Sequence, residues 1–183
     1  MITQAVAIII GCLFLIGVVI YNDLVKFKNR AKEAWADIDV QLRRRYNLIP
    51  NLIETVKGYA KHEKEIFNEV AMARAKAMGT SDIKEKGKAE NQLTNSLKTL
   101  FAVSEDYPEL KASENFSQLQ TELRDTEDKI QAARRFYNTN VRDFNTKVES
   151  FPVNLVAKFS GFNQMKYFEL KDKDKRKVPE ANF

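Results

Sequence analysis

The chain has 183 residues but a single cysteine and a single histidine. One cysteine, Cys12, excludes an internal disulfide. One histidine, His62, removes the two-histidine ligand sets on which most zinc and di-iron helical sites depend. The segment around it, "HEKEI", is not H-E-x-x-H. No G-x-x-x-x-G-K-[ST] loop and no G-x-S-x-G elbow occurs, so phosphate-cradling and nucleophile-elbow chemistry have no motif here. Period-2 alternation of the kind a half-buried strand needs is also missing. Charge is absent from Ile2 to Tyr21, and all 30 basic and 25 acidic residues lie beyond position 22.

That uncharged run contains the unbroken apolar stretch "AVAIIIGCLFLIGVVI". About 20 such residues, at about 1.5 Å each, span the roughly 30 Å hydrocarbon core of a bilayer. A cleaved signal peptide would need a basic start and small residues before the cut. This start has neither Lys nor Arg, and the run ends in "VVIYND". Gly11-Cys12 could serve a lipoprotein signal, but Ile10 is bulky and apolar residues continue after Cys12. The segment therefore reads as an uncleaved anchor. Nothing basic precedes it, whereas Lys26, Lys28, Arg30 and Lys32 follow it, against Asp23 and Glu33. The positive-inside rule then puts the N-terminus outside and the bulk of the chain in the cytoplasm. The same basic residues suit anionic lipid head groups, at about 1 kcal/mol each near the surface.

Beyond the anchor, apolar and small residues recur in steps of three and four. One stripe runs through Leu24, Ala31, Trp35, Ile38, Leu42, Ile49, Leu52, Val56, Tyr59, Phe67, Val70 and Ala77. Gly79 and "TSD" supply a C-cap and a new N-cap. A shorter stripe holds Ile83, Leu93, Leu97, Leu100 and Phe101, and "DYP", ending at Pro108, stops it. The last runs from Phe116 through Leu123, Ile130, Tyr137, Val141 and Phe144 to Val148, with Ser113 as its N-cap. Pro152 opens a short segment, "PVNLVAKFSGF". From Lys171 the charges alternate in a tail that reads as mobile. The expected fold is all-α: a transmembrane helix followed by an elongated antiparallel four-helix bundle, with long helices of roughly 30 to 40 residues. The implied division is 1–22 anchor, 23–165 bundle and 166–183 tail.

Two features inside "RRRYNLIPNLIETVKGYAKHE" ask for an account. Pro50 lacks an N–H and opposes a straight helix, yet the apolar stripe passes it in register. A kink or tight break at Pro50 is expected, with Gly58 adding softness or admitting a neighbouring helix. Arg43, Arg44 and Arg45 point about 100° apart on a helix. They cannot form one flat basic face, and the aromatic residues sit mostly on the buried stripe. Nucleic-acid binding therefore gains no support from the net charge of +5. Glu63, Glu65 and Glu69 with Asp37 and Asp39 match no cation-loop spacing.

"YNDLV", "AWADIDVQLRRRYNLIPNLIETVKGYAKHE", "YPELKASENFSQLQTEL", "AARRFYNTNVRDFN" and "FPVNLVAKFSGF" resemble, in order and over essentially the whole chain, the LemA family. The resemblance implies a bacterial protein with one N-terminal membrane helix and a four-helix bundle. Some family members take part in building magnetosome membranes, and others accompany membrane proteases. Its motif residues map onto Trp35, Pro50, Lys57, Gly58, Tyr59 and Tyr137. They also map onto nine polar residues taken as a candidate interaction or structural network: Asp39, Arg44, Asn51, His62, Glu63, Arg74, Arg134, Asn138 and Asn145. The ending "VPEANF" departs from the family's Pro-x-Val-x-Phe at Asn182. The function expected is a scaffold or adaptor in the bacterial inner membrane, acting by protein contact or self-assembly. It would need no catalytic residue, cofactor, metal, nucleic acid or small-molecule substrate. Its partners would be membrane lipid and either its own copies or another membrane protein. The alternatives are a lipid-surface or membrane-remodelling binder and a regulator of a membrane protease.

Overall fold

A computed structural model describes residues 1–169. The charged tail from Lys171, including Asn182, lies outside the described residues. Those residues form six helices and no strand: α1 (Ile2–Lys57), α2 (Lys64–Gly79), α3 (Ile83–Ser104), α4 (Pro108–Lys111), α5 (Glu114–Glu149) and α6 (Val153–Phe159). The fold is all-α, as the periodicity requires. At 36 residues α5 matches the expected length, but α1, at 56 residues, exceeds it. No glycine or proline lies between Tyr21 and Gln41 to interrupt the i→i−4 ladder. The anchor and the first bundle helix are consequently one element.

Contacts divide the chain into two compact units. The first comprises Met1–Val40 and Ile130–Tyr167. Here α1 and α5 run antiparallel: Asp23 pairs with Lys147, and the ring of Trp35 meets Tyr137 edge-on at 5.3 Å. Residues 1–16 are exposed throughout, which suits a segment whose surroundings are lipid. Among the described residues, α1 is the helix long and apolar enough to cross a membrane. Just past the apolar run, Leu24, Phe144, Ala157 and Phe162 form a buried cluster that draws α6 onto α1 and α5. The segment after α6 is fixed by polar contacts. The Asn145 amide donates to Met165 O at 3.0 Å and accepts from Met165 N at 2.8 Å. The Tyr137 hydroxyl donates to Lys166 O at 2.9 Å. Burial pushes the Tyr137 phenol up to about 12, so it remains protonated and a donor.

The second unit comprises Gln41–Lys129 and the described residues from Phe168. It contains the four-helix part of the fold, built from the end of α1, from α2 and α3, and from the start of α5. Asp82 caps α3, its carboxylate accepting from the N–H groups of Lys84 and Glu85 at 3.0 and 3.2 Å. Pro108 opens α4, a position where its missing N–H costs little. Phe168 is fully buried, although the sequence pattern placed it in the tail.

Three expectations need correction. α1 continues through Pro50 without a break, and the interruption comes at Gly58–Glu63. Gly58 admits no neighbouring helix: a Cβ there would meet Thr55 O of its own helix at 3.3 Å. Tyr59, expected on the core stripe, is 43% exposed because the helix ends before it.

Candidate functional site

Helical geometry sends the three consecutive arginines to different surroundings. Arg43 is exposed. Arg44 is part-exposed, 3.6 Å from the Asp125 carboxylate on α5. Its ion pair, together with the hydrogen bond from Lys129, holds the Asp125 carboxyl below the usual range, the Lys129 bond contributing most. Arg45 faces inward and is 2% exposed. Its guanidinium donates to Glu90 on α3, to Glu127 on α5 at 2.6 Å and to Thr94 on α3 at 3.2 Å. The neighbouring Tyr46 hydroxyl donates to the other oxygen of Glu90. Buried Lys86 lies 5.7 Å from the Tyr46 ring centroid, so a second cation sits close to the cluster.

Two cations and two carboxylates thus meet where α1, α3 and α5 converge. Buried charges are tolerated when paired and hydrogen-bonded. One polar atom here is not satisfied: Arg45 Nε is buried without a partner. Arg45 also lines a groove of about 390 Å³ between α3 and α5. Leu97, Phe101 and Leu123 give this groove apolar walls, and Lys98, Arg124 and Asp128 charge its rim.

A second cleft, about 290 Å³, opens between α1 and α2 around Pro50. Proline at position 50 cannot donate to the carbonyl of residue 46, four residues back. Arg74 of α2 fills the gap, its Nε donating to Tyr46 O at 2.8 Å. A side chain from another helix replaces the missing backbone bond, which is why α1 can carry a proline without ending. Pro50→Ala is therefore expected to raise stability, by about 1–3 kcal/mol, with helicity unchanged. Arg74→Ala should cost about 1–3 kcal/mol in the native background, by stranding a carbonyl, and clearly less beside Ala at 50. Equal costs in the two backgrounds, by denaturant unfolding, would refute the substitution of one donor for the other.

The nine residues taken as a candidate network are divided between the two units. Asp39, Arg134, Asn138 and Asn145 belong to the first unit, and Arg44, Asn51, His62, Glu63 and Arg74 to the second. Asp39, Arg134 and Asn138 are half-buried, while Asn51 and His62 are exposed. Glu63 accepts from the Tyr107 hydroxyl at 3.0 Å, a bond that raises the Tyr107 pKa. The polar core instead uses Arg45, Glu90, Glu127 and Thr94, which sequence reasoning passed over. A signal was present. Lys86, Glu90, Leu93, Leu97 and Leu100 follow one another by four, three, four and three, so two charged residues occupy core positions of α3. Among the described residues no cluster of His, Cys, Asp and Glu could hold a metal ion, and the acidic set Asp37, Asp39, Glu63, Glu65 and Glu69 makes none.

The LemA family profile matches residues 34–183, which include both clefts and the Arg45 cluster. The chain belongs to the LemA family. It is 29% identical over 150 residues to protein LemA of Metamycoplasma hominis, covering 81% of this chain and 68% of that one. Magnetosome protein MamQ of Magnetospirillum gryphiswaldense is 24% identical over 177 residues, covering 82% of this chain and 65% of the relative. MamQ 2 of Paramagnetospirillum magneticum is 25% identical over the same length, with the same coverage. The chain spans just under two thirds of the MamQ relatives' length. As a LemA-family protein with one apolar N-terminal helix, it is a membrane-associated helical protein.

Proposed function

We infer that this LemA-family chain is a membrane-anchored scaffold whose four-helix unit binds another membrane protein or a second copy of itself. It would act by contact, without catalysis, cofactor or metal. The observation behind this reading is the groove between α3 and α5. It is lined by Leu97, Phe101 and Leu123 and by Arg45, whose buried Nε–H has no partner. Small, deep, partly apolar recesses with a polar anchor are where interface hot spots insert. Tethering by α1 confines the chain to two dimensions and raises its effective concentration toward other membrane proteins. Lys26, Lys28, Arg30 and Lys32 support a cytoplasmic placement of the helical units in the bacterial inner membrane, with the N-terminus outside.

A photocrosslinking residue at Lys98, on the exposed rim, is expected to capture one defined adduct in native membranes. Arg124→Glu, a charge reversal on the exposed rim, should strongly weaken that adduct while the circular dichroism stays helical. The same residue at Val40, exposed on α1, should not give the adduct. Identical products from positions 98 and 40 would remove the groove from consideration.

A further inference from the structure

The first unit exposes apolar side chains that its core does not need. Phe159 is 99% exposed, Phe151 80% and Leu155 58%. Leu155 and Phe159 lie one turn apart on α6, and Phe151 lies in the turn that leads into it. Leu155 and Phe159, four residues apart, therefore share one side of α6. The opposite side of α6 is occupied, with Ala157 buried against Leu24, Phe144 and Phe162, and Val153 packed beside it. α6 is held in one orientation by this cluster and cannot turn its outer stripe inward.

The stripe is continuous with the anchor. Leu155, Val156 and Phe159 form an apolar trough of about 520 Å³ together with Phe14, Gly17, Val18 and Tyr21 of α1. Phe14 lies seven residues before Tyr21, about 10 Å deeper along the helix at about 1.5 Å per residue. α6 therefore meets α1 from within the apolar run to just past it, at Leu24. The cations of the same unit are suitably placed. Lys158 is exposed on α6, Lys28 lies 5.2 Å from the Phe162 ring centroid, and Lys147 lies 4.4 Å from that of Phe27. An exposed apolar side next to a lysine, Lys158, is the pattern of a helix lying in the membrane interface, with its apolar side about 5–10 Å below the head groups. A seven-residue helix could not bind a bilayer by itself. Here α1 supplies the proximity and the Leu24 cluster supplies the fixed orientation.

We propose that α6 is a second membrane contact, inserting Leu155 and Phe159 among the lipid acyl chains beside α1, with Lys158 at the phosphates. The bilayer thus grips the first unit at two points and sets the tilt at which α1 leaves it. The inference requires that α1 spans the bilayer; it is independent of any partner at the α3–α5 groove.

The test uses the full chain with Cys12→Ala, carrying Leu155→Cys, Phe159→Cys or, as reference, Val40→Cys. Val40 is exposed on the same unit, about 28 Å along α1 from Tyr21 at about 1.5 Å per residue. Each single cysteine is labelled with the fluorophore NBD, and the protein is reconstituted into phosphatidylethanolamine–phosphatidylglycerol vesicles. Labels at 155 and 159 are expected to emit to the blue and to be quenched about twofold or more by lipids spin-labelled on the acyl chain, as insertion below the head groups requires. The label at 40 should be unaffected. Aqueous emission at 155 and 159, matching that at 40, overturns the proposal. Blue-shifted emission that resists lipid quenching and fades as lipid is added overturns it too, and assigns the stripe to a second copy of the chain.

Discussion

Arg45→Ala is expected to destabilise the four-helix unit by about 3–5 kcal/mol, because it leaves the Glu90 carboxylate buried without its cation. Glu90 is 1% exposed, so water cannot take over, and its remaining donor is the Tyr46 hydroxyl. Glu127 suffers less, since its side chain is 28% exposed and water can replace part of what Arg45 gave. The reverse truncation, Glu90→Ala, should cost a similar amount by stranding the guanidinium. Removing both partners with apolar residues of similar size, Arg45→Met with Glu90→Met, should recover most of the loss, since a buried ion pair frequently breaks even against hydrophobic packing. Urea unfolding of the full chain in detergent would give the cycle. A cost below about 1 kcal/mol for Arg45→Ala, in the range of a surface pair, would show that the cluster is solvated in practice. Single costs that simply add would show that the two groups do not act on each other.

Gly87→Ala should lower stability even though alanine is the better helix former. A Cβ at position 87 would stand 2.4 Å from the carbonyl oxygen of Glu169 and 3.7 Å from the Phe168 ring. The nearer atom is backbone, so the segment at 168–169 must move by about 1 Å to restore contact distance. Phe168 is fully buried in that segment and would leave its seat. Overpacking of this kind costs about 1–3 kcal/mol, against a gain of about 1 kcal/mol from replacing glycine in a helix. Phe168→Ala alone should cost about 3–5 kcal/mol. Once Phe168 is truncated the segment has little left to lose, so Gly87→Ala in that background should become neutral or stabilising. Thermal unfolding of the two singles and the double would check this change of sign. A loss from Gly87→Ala that persists unchanged in the Phe168→Ala background would show that the close approach does not matter.

These results mark where the sequence was sufficient. The anchor followed from a run of residues without charge, because burying charge in hydrocarbon is costly enough to leave a mark on composition. The helices and the core stripe from Leu24 to Val56 followed from spacing. A cap in the segment holding Asp82 followed from local hydrogen-bond needs, whereas Pro108, read as the stop of one helix, also starts the next. Asn145 could be named as structurally important from its motif, although its part in holding Met165 could not.

Other outcomes depended on atoms distant in sequence. Pro50 reads as a kink or tight break because its cost is local, but the compensating donor, Arg74, comes from another helix and α1 runs on. Arg45 is indistinguishable in type from its two neighbours, and only Glu90, Thr94 and Glu127 arriving from α3 and α5 make the inward position tolerable. Nothing local to Gly87 in the sequence signals that the backbone of Glu169 lies against it. The sequence assigned Leu155 and Phe159 no surroundings. Tertiary structure decided that their side of α6 is left exposed beside the apolar run of α1. Sequence thus determined the elements and the apolar faces, which depend on short-range periodicity. Tertiary structure decided which polar and apolar groups are completed by a distant partner and which are left for lipid or another chain.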